Sequence, residues 1–415
     1  MNVHVGDKGM AEEFDFGVPY ADDGMNRREF CSAIAAVAVA GSSGMVGSAM
    51  GQPSDERPVA QTANAPIDKT SHKMFFEAAQ KMGRLKNSSV DLVVTSPPYP
   101  MIAMWDGVFA AQSKGVKENL GRDPNTVFEF MHMELDKVWS ECHRVLKDGG
   151  FMCINIGDAT RTINKDFRLY NNHARVVSAC LDLGFANLPN IIWRKQTNAP
   201  NKFMGSGMLP CGAYVTLEHE WILVFRKGGK RIYKSEQEKT LRRRSAFFWE
   251  ERNQWFSDVW EIKGTRQAIA NSLTRERNAS FPLEIPLRLV NMYSQFGDVV
   301  LDPFMGMGTT MVAAMLSGRN SVGFEIDKAL KPSIADFIGN MGADAMRRLV
   351  RERIKRHLSF VEEREVAGKE VKYWNRSLDC KVMTSQETDI ELAWPDEIRG
   401  SVSGDFCHYC SYRSK

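Results

Sequence analysis

Short apolar runs closed by polar, glycine or proline residues recur along this chain, separated by longer stretches of helical periodicity. Residues 72–76, 90–94, 151–158, 187–193, 219–226, 298–302 and 321–327 have the length and composition of strands, most of them buried. Between 128 and 146, Phe130, Met133, Leu135, Val138, Trp139 and Val145 recur at helical spacing, and Lys147-Asp148-Gly149-Gly150 supplies a basic last turn and a glycine stop. Residues 77–85 and 173–183 read as further helices, and another opens near Thr309. Strand alternating with helix predicts an α/β fold with a doubly wound, mainly parallel sheet.

Two of these strands end in segments that carry chemistry. Thr95-Ser96-Pro97-Pro98-Tyr99-Pro100 follows the run at 90–94. Each proline fixes its own φ and drives its predecessor toward extended geometry, so Ser96 and the Pro97 carbonyl are held without strand partners. Acceptors of that kind beside an aromatic ring suit a flat ligand bearing an amino group, although a bare Pro-Pro-Tyr also ends ordinary strands. Downstream, Asp302-Pro303-Phe304-Met305-Gly306-Met307-Gly308-Thr309-Thr310 joins a strand to a helix through a glycine-rich turn, and the next strand, 321–327, carries Glu325 and ends in a carboxylate. Glycines admit close backbone approach, a helix start offers free N–H groups, and the acid suits ribose hydroxyls. The lysine of a P-loop is missing, which argues against nucleoside triphosphates.

Together these motifs resemble the S-adenosylmethionine-dependent amino-methyltransferases of DNA, in the permuted order that puts the catalytic motif before the cofactor motif. Ser96-Pro97-Pro98-Tyr99 is similar to the family's catalytic tetrapeptide in its N4-cytosine form; an aspartate at the first position would have favoured N6-adenine. The resemblance implies that Asp302, Pro303, Phe304, Gly306, Gly308, Thr309 and Thr310 form the cofactor loop and that Glu325 is the ribose acid. Phe281 is similar to the residue that closes over the methionine end; where the family's first strand ends in Gly-Asp, this chain has Glu77 and Ala78, so either Glu77 substitutes for the acid that contacts the cofactor or that contact is missing. The resemblance further implies a Rossmann-like fold with an antiparallel edge hairpin near 219–226, no metal, and Tyr99 stacked on a flipped base. Double-stranded DNA is the expected partner, with a restriction endonuclease acting on the same site. An N6-adenine enzyme, or a DNA-binding relative impaired in catalysis, is the alternative.

Composition divides the rest of the chain. With 415 residues, 43% hydrophobic and 25% charged, it can bury a large core, and its net charge of +3 asks for a basic face rather than a basic whole. Residues 1–65 read as a disordered or signal-like extension, 66–193 as the catalytic half, and 194–275 as a target-recognition region. Residues 276–345 read as the cofactor half and 346–415 as a C-terminal extension. Arg27-Arg28 and the small apolar run after them are like a twin-arginine signal, but DNA and the cofactor point to the cytoplasm. Glycine and serine interrupt that run, so no membrane span is expected. The eight cysteines have no disulfide-framework spacing, and the Cys407-His408-Tyr409-Cys410 cluster falls short of a four-ligand zinc site. In the middle region, Arg194, Lys195, Asn198, Lys202 and the run Arg242-Arg243-Arg244 are the side-chain types that reach phosphates and base edges, so they are the expected DNA contacts. Oligomeric state and recognition sequence stay open.

Overall fold

A computed structural model describes residues 67–195, 204–263, 281–401 and 406–413. The extension at 1–65 and the expected DNA contacts Asn198 and Lys202 lie outside the described residues.

The sheet has eleven strands: β1 (Lys69–Phe75), β2 (Val90–Thr95), β3 (Leu146–Ile156), β4 (Phe185–Asn187), β5 (Ile191–Arg194), β6 (His219–Lys227), β7 (Val259–Glu261), β8 (Val299–Asp302), β9 (Asn320–Phe324), β10 (Pro395–Ser401) and β11 (Phe406–Tyr412). Its order is β7-β5-β6-β3-β2-β8-β9-β1-β11-β10, with β4 also paired to β6. The run from β3 to β1 is parallel throughout. The antiparallel strand β6 sits inside the sheet, between β3 and β5, with β7 at the rim.

Both faces are covered. Helices α1 (Asp106–Gln112), α2 (Lys114–Asn119), α3 (Pro124–Val145) and α4 (Asn172–Asp182) contribute to a core with Val93, Met152, Ile154 and Leu301. Alternate residues Leu92, Val94, Cys153 and Val300 turn the other way, against α7 (Glu284–Tyr293) and α8 (Thr309–Leu316). That alternation is the period of a strand, and it makes β2 buried along its whole length. Truncating fully buried Leu92 to alanine should cost about 2–5 kcal/mol.

Helix α3 shows how the local sequence sets these elements. Asp123 caps it by accepting from Asn125 N (3.1 Å) and Thr126 N (3.2 Å), and Pro124 opens the first turn. Its buried positions, including Val127, Met131, Leu135, Val138 and Cys142, form one stripe. The helix ends at Val145, and the expected glycine stop at 147–150 is instead the opening of β3, which starts at Leu146. The expected helix over 77–85 is a run of turns. Arg144 is the reason, because its guanidinium takes the carbonyls of Met82 (2.9 Å) and Leu85 (3.0 Å).

The C-terminal segment holds α9 (Lys331–Asn340), α10 (Ala343–Val366) and the strands β10 and β11. β11 pairs antiparallel with β1, so this extension completes the sheet. Cys407 and Cys410 belong to β11, and among the described residues no group of three or more His, Cys, Asp or Glu could hold a metal ion. Among the described residues no helix is long and apolar enough to cross a membrane.

Candidate active site

The parallel strands β2, β8, β9 and β1 end at Thr95, Asp302, Phe324 and Phe75, and their carboxyl ends face one open cleft. Such an edge is where open α/β sheets bind ligands. The cleft is lined by Ser96, Pro97 and Pro98 from the first motif, by Asp302, Pro303, Phe304, Gly306, Thr309 and Thr310 from the second, and by Glu325, Phe281 and Glu77. Two motifs about two hundred residues apart therefore share one site. Gly308 lies behind the lining: it caps α8 at φ +87°, a left-handed conformation that glycine adopts without strain.

Asp302 is spoken for by the protein itself. Its Oδ1 accepts from Thr95 Oγ1 (2.6 Å) and Phe304 N (3.0 Å), and its Oδ2 accepts from Thr310 Oγ1 (2.6 Å). Burial raises its pKa to about 6 against the pull of those three donors. It shapes the loop more than it offers a free carboxylate. The loop is also settled on the sheet: Met305 N donates to Phe324 O (2.9 Å), and a Cβ at Gly323 would lie 2.0 Å from Met305 Cε.

Glu325 has capacity left. Gly306 N donates to its Oε2 (3.0 Å) and Asp327 N to its Oε1 (2.7 Å), which leaves each oxygen a lone pair for a hydroxyl donor. Burial raises this carboxyl above its ordinary value. Its neighbour Ile326 is an exposed apolar side chain lining the cleft, a surface suited to a flat ring. Glu77 reaches the lining too and pairs with Arg84 (3.2 Å), while Ala78 beside it brings no polar group.

The first motif differs from expectation at its last residue. Tyr99 is only 8% exposed and does not line the cleft, so its ring presents no open face for stacking. Its hydroxyl donates to Glu220 Oε2 (2.8 Å) and lies 3.1 Å from Ser96 Oγ. Asn155 Nδ2 donates to both Tyr99 Oη (2.8 Å) and Glu220 Oε2 (2.7 Å), and Lys195 Nζ pairs with Glu220 Oε1. Burial first, then the Glu220 charge, pushes the Tyr99 phenol well above its ordinary range. Gly157 leaves room for the ring, since a Cβ there would meet Tyr99 Cε2 at 3.0 Å. The loop beyond is pinned by Asn172 Nδ2, which donates to Pro100 O and Gly157 O (both 3.0 Å), and Met101 is held at φ +66°, a strain of about 1–3 kcal/mol.

Asn155 and Glu220 escape sequence reasoning, although each breaks an otherwise apolar buried strand, and a buried polar residue is the informative kind. The expected DNA contacts are dispersed. Lys195 turns inward to Glu220 and over the Trp193 ring (4.6 Å). Arg194 is exposed beside Glu261 (3.3 Å) and Glu218 (3.9 Å). Helices α5 (Glu236–Arg244) and α6 (Trp249–Trp255) follow β6; in α5, Arg244 makes a two-pronged bond to Glu391 (2.8 and 2.7 Å), so it braces the C-terminal segment instead of facing solvent. Arg243 lies 3.5 Å from Asp389, and Arg242 lies over the Tyr233 ring.

Comparison with known proteins bears on this geometry. Residues 90–336 match a family of N6/N4-type DNA methylases. The chain is 48% identical over 341 residues to the Type II methyltransferase M.MthZI of Methanothermobacter thermautotrophicus, covering 81% of this chain and 94% of that one. It is 48% identical over 282 residues to M.MjaI of Methanocaldococcus jannaschii, covering 65% and 92%. The DNA modification methylase TTHA0409 of Thermus thermophilus, solved with S-adenosyl-L-methionine, is 32% identical with a TM-score of 0.48, covering 64% of this chain and 95% of that one. By their own chemistry the residues of the cleft fit S-adenosylmethionine: Glu325 retains acceptors for ribose hydroxyls, Ile326 offers an apolar face, and Gly306 brings backbone rather than side chain to the lining. The chain belongs to the N6/N4 DNA methylase family and is a site-specific, S-adenosylmethionine-dependent DNA amino-methyltransferase.

Proposed function

We propose that the chain methylates the exocyclic N4 amine of cytosine in double-stranded DNA, as the modification partner of a restriction endonuclease acting on the same site. The observation that carries the base assignment is Ser96: the group that the first motif presents to the cleft is a hydroxyl, not a carboxylate. The names of the two archaeal relatives, both Type II methyltransferases, support the modification role. The order of motifs, catalytic before cofactor, is the permuted one.

A cytosine inside a duplex cannot reach this edge of the sheet, so the base must flip out of the stack. The amine's lone pair is delocalised into the ring. Ser96 Oγ and the Pro97 carbonyl accept its two hydrogens and favour a nitrogen whose lone pair is free to attack. S-adenosylmethionine, when bound, supplies an activated methyl group on a sulfonium. The chain's own task is then alignment, and positioning alone can supply much of the rate enhancement. Glu325 and the loop at 302–310 hold the cofactor, Phe281 closes the lining, and Trp105 and Pro98 narrow the space around the amine. Tyr99 holds Ser96 from behind. Exposed Arg194 and Arg242 would meet backbone phosphates.

Chromatography of nucleosides from DNA methylated by the purified protein tests the base. N4-methylcytosine is expected; N6-methyladenine in its place overturns the cytosine assignment. Methylome sequencing of an expressing host should find one modified motif, and cleavage of that DNA by an endonuclease specific for the same motif would overturn the protective role.

A further inference from the structure

Behind Ser96 lies a set of polar groups that gripping an amine does not require. Tyr99, Asn155 and Glu220 are all buried, and none lines the cleft. Their hydrogens can be assigned one by one. Asn155 Nδ2 lies 2.7 Å from Glu220 Oε2, so turning the amide over would set oxygen against carboxylate; the donors therefore face the network and Asn155 Oδ1 is left without a partner. The two Asn155 hydrogens go to Glu220 Oε2 and Tyr99 Oη. Tyr99 directs its own hydrogen to Glu220 Oε2. Ser96 Oγ, 3.1 Å from Tyr99 Oη and only 3.4 Å from an amide whose hydrogens are committed, then directs its hydrogen to Tyr99. Every hydrogen along Ser96, Tyr99 and Glu220 points the same way, away from the cleft, and the lone pairs of Ser96 are left for whatever enters it.

We propose that Ser96, Tyr99 and Glu220 form a proton relay that carries the proton lost by the methylated amine out of the cleft to the Glu220 carboxylate. It rests on Ser96 being the amine's acceptor, as proposed above, and is indifferent to which base carries the amine. As the N–CH₃ bond forms, one N–H bond breaks toward Ser96 Oγ. The serine's former proton passes to Tyr99 Oη, and the tyrosine's former proton passes to Glu220 Oε2. Ser96 and Tyr99 end as they began, each with an exchanged proton, and Glu220 ends as the carboxylic acid. It returns to carboxylate by losing that proton to solvent on the side of Lys195, whose side chain is 39% exposed. Burial and the Glu220 charge disfavour tyrosinate at Tyr99, so its proton leaves only as the serine's arrives. Tyr99 and Glu220 act through Ser96, so they are positioning and relay residues.

The test is single-turnover methyl transfer from pH 6 to 9 by the full chain and by Ser96→Ala, Tyr99→Phe, Glu220→Gln and the double variant Tyr99→Phe/Glu220→Gln. Cofactor affinity is measured by calorimetry and folding by thermal melting. Tyr99→Phe and Glu220→Gln should each slow transfer about 10- to 100-fold at pH 7, a modest share of what positioned proton transfer contributes. Cofactor affinity should stay within twofold, and the double variant should be no slower than the worse single one. Their rates should climb with pH as hydroxide replaces the relay, while the parent's rate levels off. Rates within twofold of the parent overturn the relay, and so does a slowing that is equal at every pH, which marks a structural staple only. Should Glu220→Gln melt early, Tyr99→Phe, which keeps the ring, carries the test. Parental rates in Ser96→Ala would overturn the amine-acceptor reading itself; a slow Ser96→Ala beside parental Tyr99→Phe and Glu220→Gln sinks the relay alone.

Discussion

Thr95 Oγ1 donates a 2.6 Å hydrogen bond to Asp302 Oδ1, tying the last residue of β2 to the last residue of β8. Both are buried, so neither can turn to water for a substitute. Thr95→Val keeps the shape and removes the donor, and leaving a buried carboxylate oxygen short of a partner should cost about 1–3 kcal/mol. Because the bond couples the two motifs, the variant should lose cofactor affinity and turnover together. Thermal melting and titration calorimetry check it; a parental melt would show that the bond is dispensable.

Glu325 makes the sharper cofactor prediction. Glu325→Gln exchanges one acceptor oxygen for a donor and strains its bonds to Gly306 and Asp327. Hydrogen bonds to charged groups contribute about 1.5–3 kcal/mol, so S-adenosylmethionine binding should weaken roughly ten- to a hundredfold. DNA affinity measured without cofactor should not change.

Arg244→Ala should lower the melting point, with a loss of about 1–3 kcal/mol for its charged hydrogen bonds to Glu391. A double-mutant cycle with Glu391→Gln should show the coupling. The salt dependence of DNA binding should stay as it was, because this guanidinium is already engaged. If the arginine run touches phosphate, exposed Arg242 does so, and Arg242→Ala should flatten the salt slope by about one unit.

His357 on α10 predicts a pH dependence. Burial disfavours its cation, but hydrogen bonds to the Cys380 thiol and to Glu250, with the charge of Glu250, more than offset that and raise its pKa to about 10. A histidine whose pKa rises on folding contributes stability that is fully present below its unfolded value near 6.5 and fades as pH climbs toward about 10. Glu250→Gln should therefore destabilise most near pH 6, by about 3 kcal/mol as for a broken buried pair, and little at pH 10. Denaturant melts at the two pH values check it, and an equal loss at both would contradict the pairing.

What could be read from the chain and what could not divide along physical lines. The runs 90–94, 298–302 and 321–327 were legible because strands buried on both faces leave continuous apolar segments. The cleft was legible because its parts sit at the ends of those runs. Residues 77–85 misled because a guanidinium from α3, rather than the local backbone, takes their carbonyls. The network around Tyr99 was hidden because its members come from β3, β6 and the loop after β5, and only the fold brings them together. Arg244 looked like a DNA contact because its carboxylate partner lies 147 positions away.

The pairing of β11 with β1 carries a temporal consequence. Lys69 lies opposite Ser411 and Met74 opposite Phe406, so the first strand of the sheet waits for a neighbour synthesised more than three hundred residues later. Until that neighbour emerges, a nascent chain presents the flank of β1 as an unpaired edge, the kind of surface that other chains can join. Contacts this distant in sequence also slow folding. The flank of β1 is thus covered late, after both motifs of the cleft have already been translated.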